Sequence, residues 1–597
     1  MKREESSPAY RWDLTAVYAD EAAVDAEMAA VREEMAAFAA VETTMTADAA
    51  SLYAALCAHT AVERKLTKLH EYAMMTADLN LADNRALALR SRVQRLEDDW
   101  TAVSFFFTPT IVLLEQETLD RWFAEQPALE AYRRVLDSIR RYRPYTLSDE
   151  SEKLLADMSG VLAGHEDIRG ILANAELRFG RIRGEDGRPV EVTGANYVPL
   201  LMSSDRRVRR AAFSTLYRTY DQFGNTLSAL LEGFVKERVT LAKIRGYENS
   251  LQASVFDDEV TPEIYHTLIQ TVNRHLPVLY DYYDLKREAL GVPHLHLYDV
   301  YAPMTAAGSR RYSYEQAMEM VLDTVSVFGE EYRRTLEDGL KNRHWADVYP
   351  AKGKRDGAYS AGGYDVQPYM LLNYTETFDD VCTLAHEAGH SMHTWYAARA
   401  NTPQDSGYTI FVAEVASTVN ELLLVHKLLR ETEDKTEKLA ILDQLMEIYK
   451  GTLFRQTMFA EFEETVHRLC TEGEPLTRDT LCQQYEKLVK RYFGPRVVCD
   501  RQIAMEWMRI PHFYYDFYVY KYATCLSAAS SIVKRLETEG EAYAAQYLDF
   551  LKCGNSKSPL ESLQIAGVDL TDPAVIEDAI ADFKKAVSQF RELQNEG

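Results

Sequence analysis

Two imidazoles four residues apart, with a carboxylate beside the first, can share one metal ion. His386-Glu387-Ala388-Gly389-His390 has that pattern. On a helix, positions i and i+4 lie one turn apart on one face, so His386 and His390 can reach the same zinc ion while Glu387 stays free to handle a proton. The chemistry this predicts is metal-assisted hydrolysis.

A hydrolytic zinc needs a third protein ligand and an open position. Glu414 is the best candidate: in the segment Tyr408–Leu424, Phe411, Val415, Val419 and Leu422 form an apolar stripe that acidic residues interrupt only at Glu414 and Glu421. A buried carboxylate is costly without a partner, and a metal is an adequate one. Glu421, seven residues on, shares that face and is either a rival ligand or an acceptor that orients an imidazole. His393, three residues past His390, is a weaker rival. The metzincin extension is excluded, because its Gly and His positions hold His393 and Tyr396.

A second constellation is Ile510–Thr524, which contains His512, Tyr515, Tyr518 and Tyr522. The tyrosines recur at helical spacing, so one face presents several phenolic donors and an imidazole, suited to an oxyanion formed in amide hydrolysis. The same pattern also fits an aromatic core helix whose hydroxyls are satisfied internally.

The elements that must position these residues are mostly helical. Val381, Leu384, Ala388, Met392 and Trp395 follow the helical period after two aspartates, predicting a helix around the motif. Gly389 inside it reads as a place where something approaches the backbone closely. From Glu21 to about Leu114 the chain reads as amphipathic helices. A second helical stretch follows and ends in a hairpin at Phe179–Val192, and Thr261-Pro262 opens a later helix with a capping Thr. The expected domains are a helical 1–115, a second helical segment 116–195 and a catalytic 196–597. Gly353–Tyr364 reads as a mobile loop, and Pro368–Tyr374 as an edge strand able to hold an extended peptide by strand addition.

The 597 residues, 47% of them hydrophobic, can bury a large core. A net charge of −25 at pH 7 disfavours nucleic acid and anionic membranes as partners. Seven dispersed cysteines, a start without an apolar signal core, and an apolar run interrupted by Pro109 point to a cytoplasmic protein.

The metal helix with its internal Gly389, the stretch Phe411–Thr418, the Gly357-Ala358-Tyr359-Ser360 loop and the Pro511-His512-Phe513-Tyr514 block together resemble the oligoendopeptidase F group of the thimet-oligopeptidase-like M3 metallopeptidases, over nearly the whole chain. The resemblance implies a mainly α, neurolysin-like fold with a deep substrate channel and a small β element near the active site. It implies one Zn2+ per chain on His386, His390 and Glu414, with Glu387 as general base and oligopeptides as substrates. Family substrate-contacting residues fall on His512, Tyr515 and Tyr522, with Tyr518 as a rival. Two other readings are a zinc carboxypeptidase of related fold and a non-enzymatic peptide binder with a structural metal. The second is disfavoured because a closed structural site recruits a fourth Cys or His.

Overall fold

The computed structural model describes residues 3–162, 164–305 and 310–596. The chain forms two compact units, each built from separated stretches. The first comprises Met1–Thr146, Arg310–Lys427 and Ile532–Val568; the second comprises Leu147–Ser309, Leu428–Ser531 and Asp569–Gly597. Helices dominate both.

In the first unit, the helices Glu21–Ala39, Ala49–Asp78 and Asn84–Val103 each start at an aspartate, Asp20, Asp48 and Asp83, whose carboxylate accepts a first-turn backbone N–H. The first buries Val24, Met28, Val31, Met35 and Phe38, a stripe at helical spacing. The apolar core of these helices continues into Ala361, Val366, Tyr369 and Leu371. The N-terminal helices therefore pack around a small sheet that lies just before the metal helix in sequence.

That sheet corrects two expectations. Its order is Ala346–Asp347, Tyr369–Leu371, Tyr359–Ala361, parallel across the first pair and antiparallel across the second. The segment read as an edge strand is thus the central one, and all three of its residues are buried. A strand covered on both faces reads as a continuous apolar run, which cannot tell centre from edge. The edge strand comes instead from the glycine-rich loop, which is pinned. Gly353 accepts from Leu81 N and Arg355 donates its N–H to Asp78 O. The buried Lys354 ammonium lies 2.7 Å from Asp347 Oδ1 and also donates to the carbonyls of Asp347 and Tyr349.

The metal helix, Phe378–Ala400, opens with a reciprocal capping box between Thr377 and Asp380. A second long helix, Ile410–Glu431, carries Glu414 and buries Phe411, Val415, Val419 and Leu422 as its apolar stripe predicts.

The second unit holds the expected hairpin, Arg181–Arg183 paired antiparallel with Pro189–Glu191. Its helix Pro262–Arg274 begins with Pro262 in the first turn, but the Thr261 side chain makes no capping hydrogen bond. The buried Glu506 carboxylate is paired: Arg455 and Arg509 each donate to its Oε1, at 2.9 and 2.8 Å. None of the described helices is long and apolar enough to cross a membrane.

Candidate active site

His386 and His390 project from one face of the metal helix with ring centroids 4.9 Å apart. Glu414 Oε2 lies 3.2 Å from His386 Nε2 and 3.6 Å from His390 Nε2. Ligands held about 2.0–2.2 Å from a tetrahedral zinc sit roughly 3.3 Å from one another, so the spacing fits one ion. Among the described residues this is the group of His, Cys, Asp and Glu side chains whose ligand atoms converge, all within 4.8 Å of one another.

Gly389 explains how the carboxylate gets there. A Cβ on it would lie 2.5 Å from Ala416 O and 2.6 Å from Ser417 Cα, backbone atoms of the Glu414 helix. The absence of a side chain lets the two helices touch backbone to backbone, and Glu414 then lies over the turn that bears the histidines. The close approach expected from the sequence is found. Asn420 ties the same pair of helices, donating to Ala385 O at 3.3 Å.

The residues around the cluster divide the remaining candidates. Glu421 Oε2 is 3.4 Å from His386 Nδ1, the nitrogen turned away from Glu414, and lies outside the group of converging ligand atoms, where an acceptor that orients the imidazole would sit. His393 faces away: it is buried, stacked 3.8 Å from the Tyr408 ring and packed near Phe550, and burial drops its pKa to about 3. It is a neutral core histidine. Ser417 Oγ donates to Glu414 O and lies 3.3 Å from Glu414 Oε2. Tyr408 OH pairs with Thr394 Oγ1 at 2.8 Å, one turn beyond His390. Neither Ser417 nor Tyr408 was singled out from the sequence. Ser417 was detectable as a hydroxyl inside a buried stripe, whereas Tyr408 lies in a loop with no periodicity to mark it.

The electrostatics favour positive charge between the acids. Burial works against a charged His386, yet its hydrogen bonds to Glu414 and Glu421 push its pKa up to about 10. Burial opposes ionisation of Glu414 too, but hydrogen bonds from both histidines hold it far below the usual carboxylate range. Glu387 differs: it is 6% exposed, its Oε2 has no hydrogen-bond partner, and burial pushes its pKa up. A buried carboxylate with no protein partner is costly unless something else uses it. The donor set, two imidazoles and one carboxylate with an unused carboxylate beside them, suits an open metal site better than a closed structural one.

A cavity of about 640 Å³ lies alongside, lined by Thr394 and Tyr408, by Ser360, Gly362 and Tyr364 of the edge strand and its turn, and by Glu71. Ser360 Oγ is 2.8 Å from Ser391 Oγ, so the edge strand is fastened to the metal helix one residue past His390.

The aromatic constellation lies in the second unit. Its residues do not form one helix: Pro511–Tyr514 is a 3-10 turn, a reversal follows, and the helix Tyr520–Glu539 begins after it. Asp516 and Phe517 have φ of +50° and +58°, which no right-handed helix accommodates. The four rings nevertheless gather. His512 lies 5.5 Å from Tyr515, 6.3 Å from Tyr518 and 6.0 Å from Tyr522, and Tyr518 lies 5.3 Å from Tyr522. Phe513, Tyr514, Phe517, Val519 and Tyr520 are buried while Tyr515 is 44% exposed, so the segment divides into anchors and a presented cluster.

A mostly helical frame carrying such a triad defines a metal-dependent peptidase. Residues 200–582 match the model of peptidase family M3, and residues 111–179 match that of oligopeptidase F. Oligopeptidase PepF of Bacillus subtilis is 39% identical over 91% of this chain and 81% of its own. A crystal structure from Chlamydophila abortus, whose peptidase assignment is provisional, superposes with a TM-score of 0.92 at 32% identity, covering 99% of both chains. The oligoendopeptidase F structure from Enterococcus faecium has a TM-score of 0.76 at 33% identity, covering 96% of this chain and 99% of its own. The chain belongs to peptidase family M3, in its oligoendopeptidase F group of metallo-endopeptidases.

Proposed function

We propose that the chain is a zinc-dependent endopeptidase that cuts internal bonds of short oligopeptides. His386, His390 and Glu414 would hold the ion, with Glu421 fixing the His386 ring. Zinc in such a site lowers the pKa of water and polarises a carbonyl. Glu387 takes the proton of the attacking water and passes it to the leaving amine, for which a raised pKa suits it. His512, Tyr515 and Tyr522, with Tyr518 as an alternative, donate hydrogen bonds to the developing oxyanion. The edge strand Tyr359–Ala361 offers backbone groups for an extended peptide, and the adjoining cavity gives its side chains room.

The observation that carries this reading is the meeting of Glu414 with both histidines beside the partnerless Glu387. A cytoplasmic site of action belongs to the same proposal, supported by cysteines that the fold leaves outside disulfides. The test is digestion of a mixed peptide library with and without chelator, with cut positions mapped by mass spectrometry. Internal cuts that chelation abolishes and zinc restores support the proposal; trimming from the C-terminus alone would favour a carboxypeptidase instead.

A further inference from the structure

Among the described residues, five other than glycine have positive φ, and only Asp516 and Phe517 are consecutive. L side chains adopt this conformation at a cost, and it persists where surrounding contacts over-determine it. Here the contacts are specific. The Phe517 N–H donates to Glu463 Oε1 at 2.7 Å, and Ser254 Oγ donates to Asp516 O at 2.6 Å. The Phe517 ring packs 4.4 Å from His467 and 5.8 Å from Tyr265. Glu463 and His467 are four residues apart on the helix Arg455–Thr471, so one buried face of it grips the turn. His467 is itself fixed by Ser250 Oγ, 2.9 Å from its Nδ1.

What the turn does is visible in the side chains that flank it. Tyr515 precedes the two left-handed residues and Tyr518 follows them, and the reversal brings both rings against His512 and against each other, with Tyr518 also against Tyr522. On one continuous helix these residues would share a face, but His512 and Tyr522 would stand about 15 Å apart along its axis; the reversal brings their rings to 6.0 Å.

We propose that Glu463, assisted by Ser254 and His467, is a positioning residue that holds the Asp516–Phe517 turn so that His512, Tyr515, Tyr518 and Tyr522 present one preassembled set of donors to a bound peptide. This rests on the reading of that cluster as substrate-contacting. Glu463 serves as a neutral acceptor: burial favours its protonated form, and its Oε2 has no hydrogen-bond partner. Glutamine keeps the same carbonyl oxygen in the same place, whereas leucine leaves the Phe517 N–H buried and unpaired.

The experiment compares the full-length parent with Glu463→Gln, Glu463→Leu and Ser254→Ala. Three quantities are read: hydrogen exchange of residues 511–522 and of 380–400, bound zinc, and kcat and KM on an internally quenched peptide. Glu463→Leu should speed exchange over 511–522 and lower kcat about tenfold or more, as a misplaced group does, with zinc and exchange over 380–400 unchanged. Ser254→Ala should move the same quantities in the same direction by less. Glu463→Gln should restore both exchange and kcat to within about twofold of the parent, since its acceptor is retained. Parental exchange over 511–522 in both Glu463→Leu and Ser254→Ala overturns the proposal, as does equal damage from Gln and Leu. Should exchange respond as expected while His512→Gln and the three Tyr→Phe variants turn over peptide normally, the turn is held as proposed and the substrate-contacting reading of the cluster is what fails.

Discussion

The backbone of Ser417 occupies the space a side chain on Gly389 would need: a Cβ there would come within 2.6 Å of Ser417 Cα. Backbone cannot rotate aside as a side chain can. Gly389→Ala therefore has to push the Glu414 helix away from the metal helix. Overpacking of this kind costs about 1–3 kcal/mol, and the displacement should also weaken zinc binding because Glu414 moves with its helix. Thermal unfolding with and without zinc measures both; a parental zinc affinity in Gly389→Ala would show that the ligands do not depend on this contact.

Removing Glu387 and removing Glu414 should have opposite signatures. Glu387→Gln is expected to keep the metal and to lose roughly 10²–10⁴-fold in turnover, the usual contribution of a general base. Glu414→Ala should lose the metal itself, while Glu421→Ala should weaken zinc binding by about 10–100-fold, as loss of an orienting partner does. Zinc analysis after dialysis separates the three. Full zinc retention by Glu414→Ala would remove it from the ligand set.

The Lys354–Asp347 pair, fully buried at 2.7 Å, pins the glycine-rich loop from which the edge strand is built. Asp347 also receives Arg3. Replacing Asp347 with Asn strands a buried ammonium, which typically costs about 3–5 kcal/mol. The denaturant midpoint should fall accordingly, and exchange of the amides over 353–364 should rise. Unchanged exchange in that segment would mean the loop is held by its backbone contacts alone.

Acid should destabilise the second unit through His467. Burial lowers its folded pKa to about 3, against an ordinary value of 6.5. The folded state thus keeps the ring neutral while the unfolded chain takes up a proton. The stabilising difference is complete above the unfolded value and is lost as pH falls from about 6.5 towards 3, at up to about 1.4 kcal/mol per pH unit for one proton. In His467→Gln the slope of stability against pH over that window should be shallower by one proton. An identical slope in parent and variant would exclude His467 as a titrating group.

Local sequence alone was enough for the helix bearing the two histidines, for singling out Glu414 as a carboxylate set in an apolar stripe, and for Gly389 as a contact point. All three follow from helical periodicity and from the cost of an isolated buried charge, which act within a few turns of chain. The tertiary structure decided what depends on distant partners. It set Glu421 beside His386 Nδ1, placed His393 in the core against Tyr408, and made Tyr369–Leu371 the central strand by setting Trp345–Asp347 on one side and Tyr359–Ala361 on the other. It also bent the tyrosine segment at Asp516 and Phe517, although the spacing of the tyrosines reads as one helix. The grip that bends it comes from Glu463 and Ser254, remote in sequence, and local periodicity carries no record of a hydrogen bond made across such a separation.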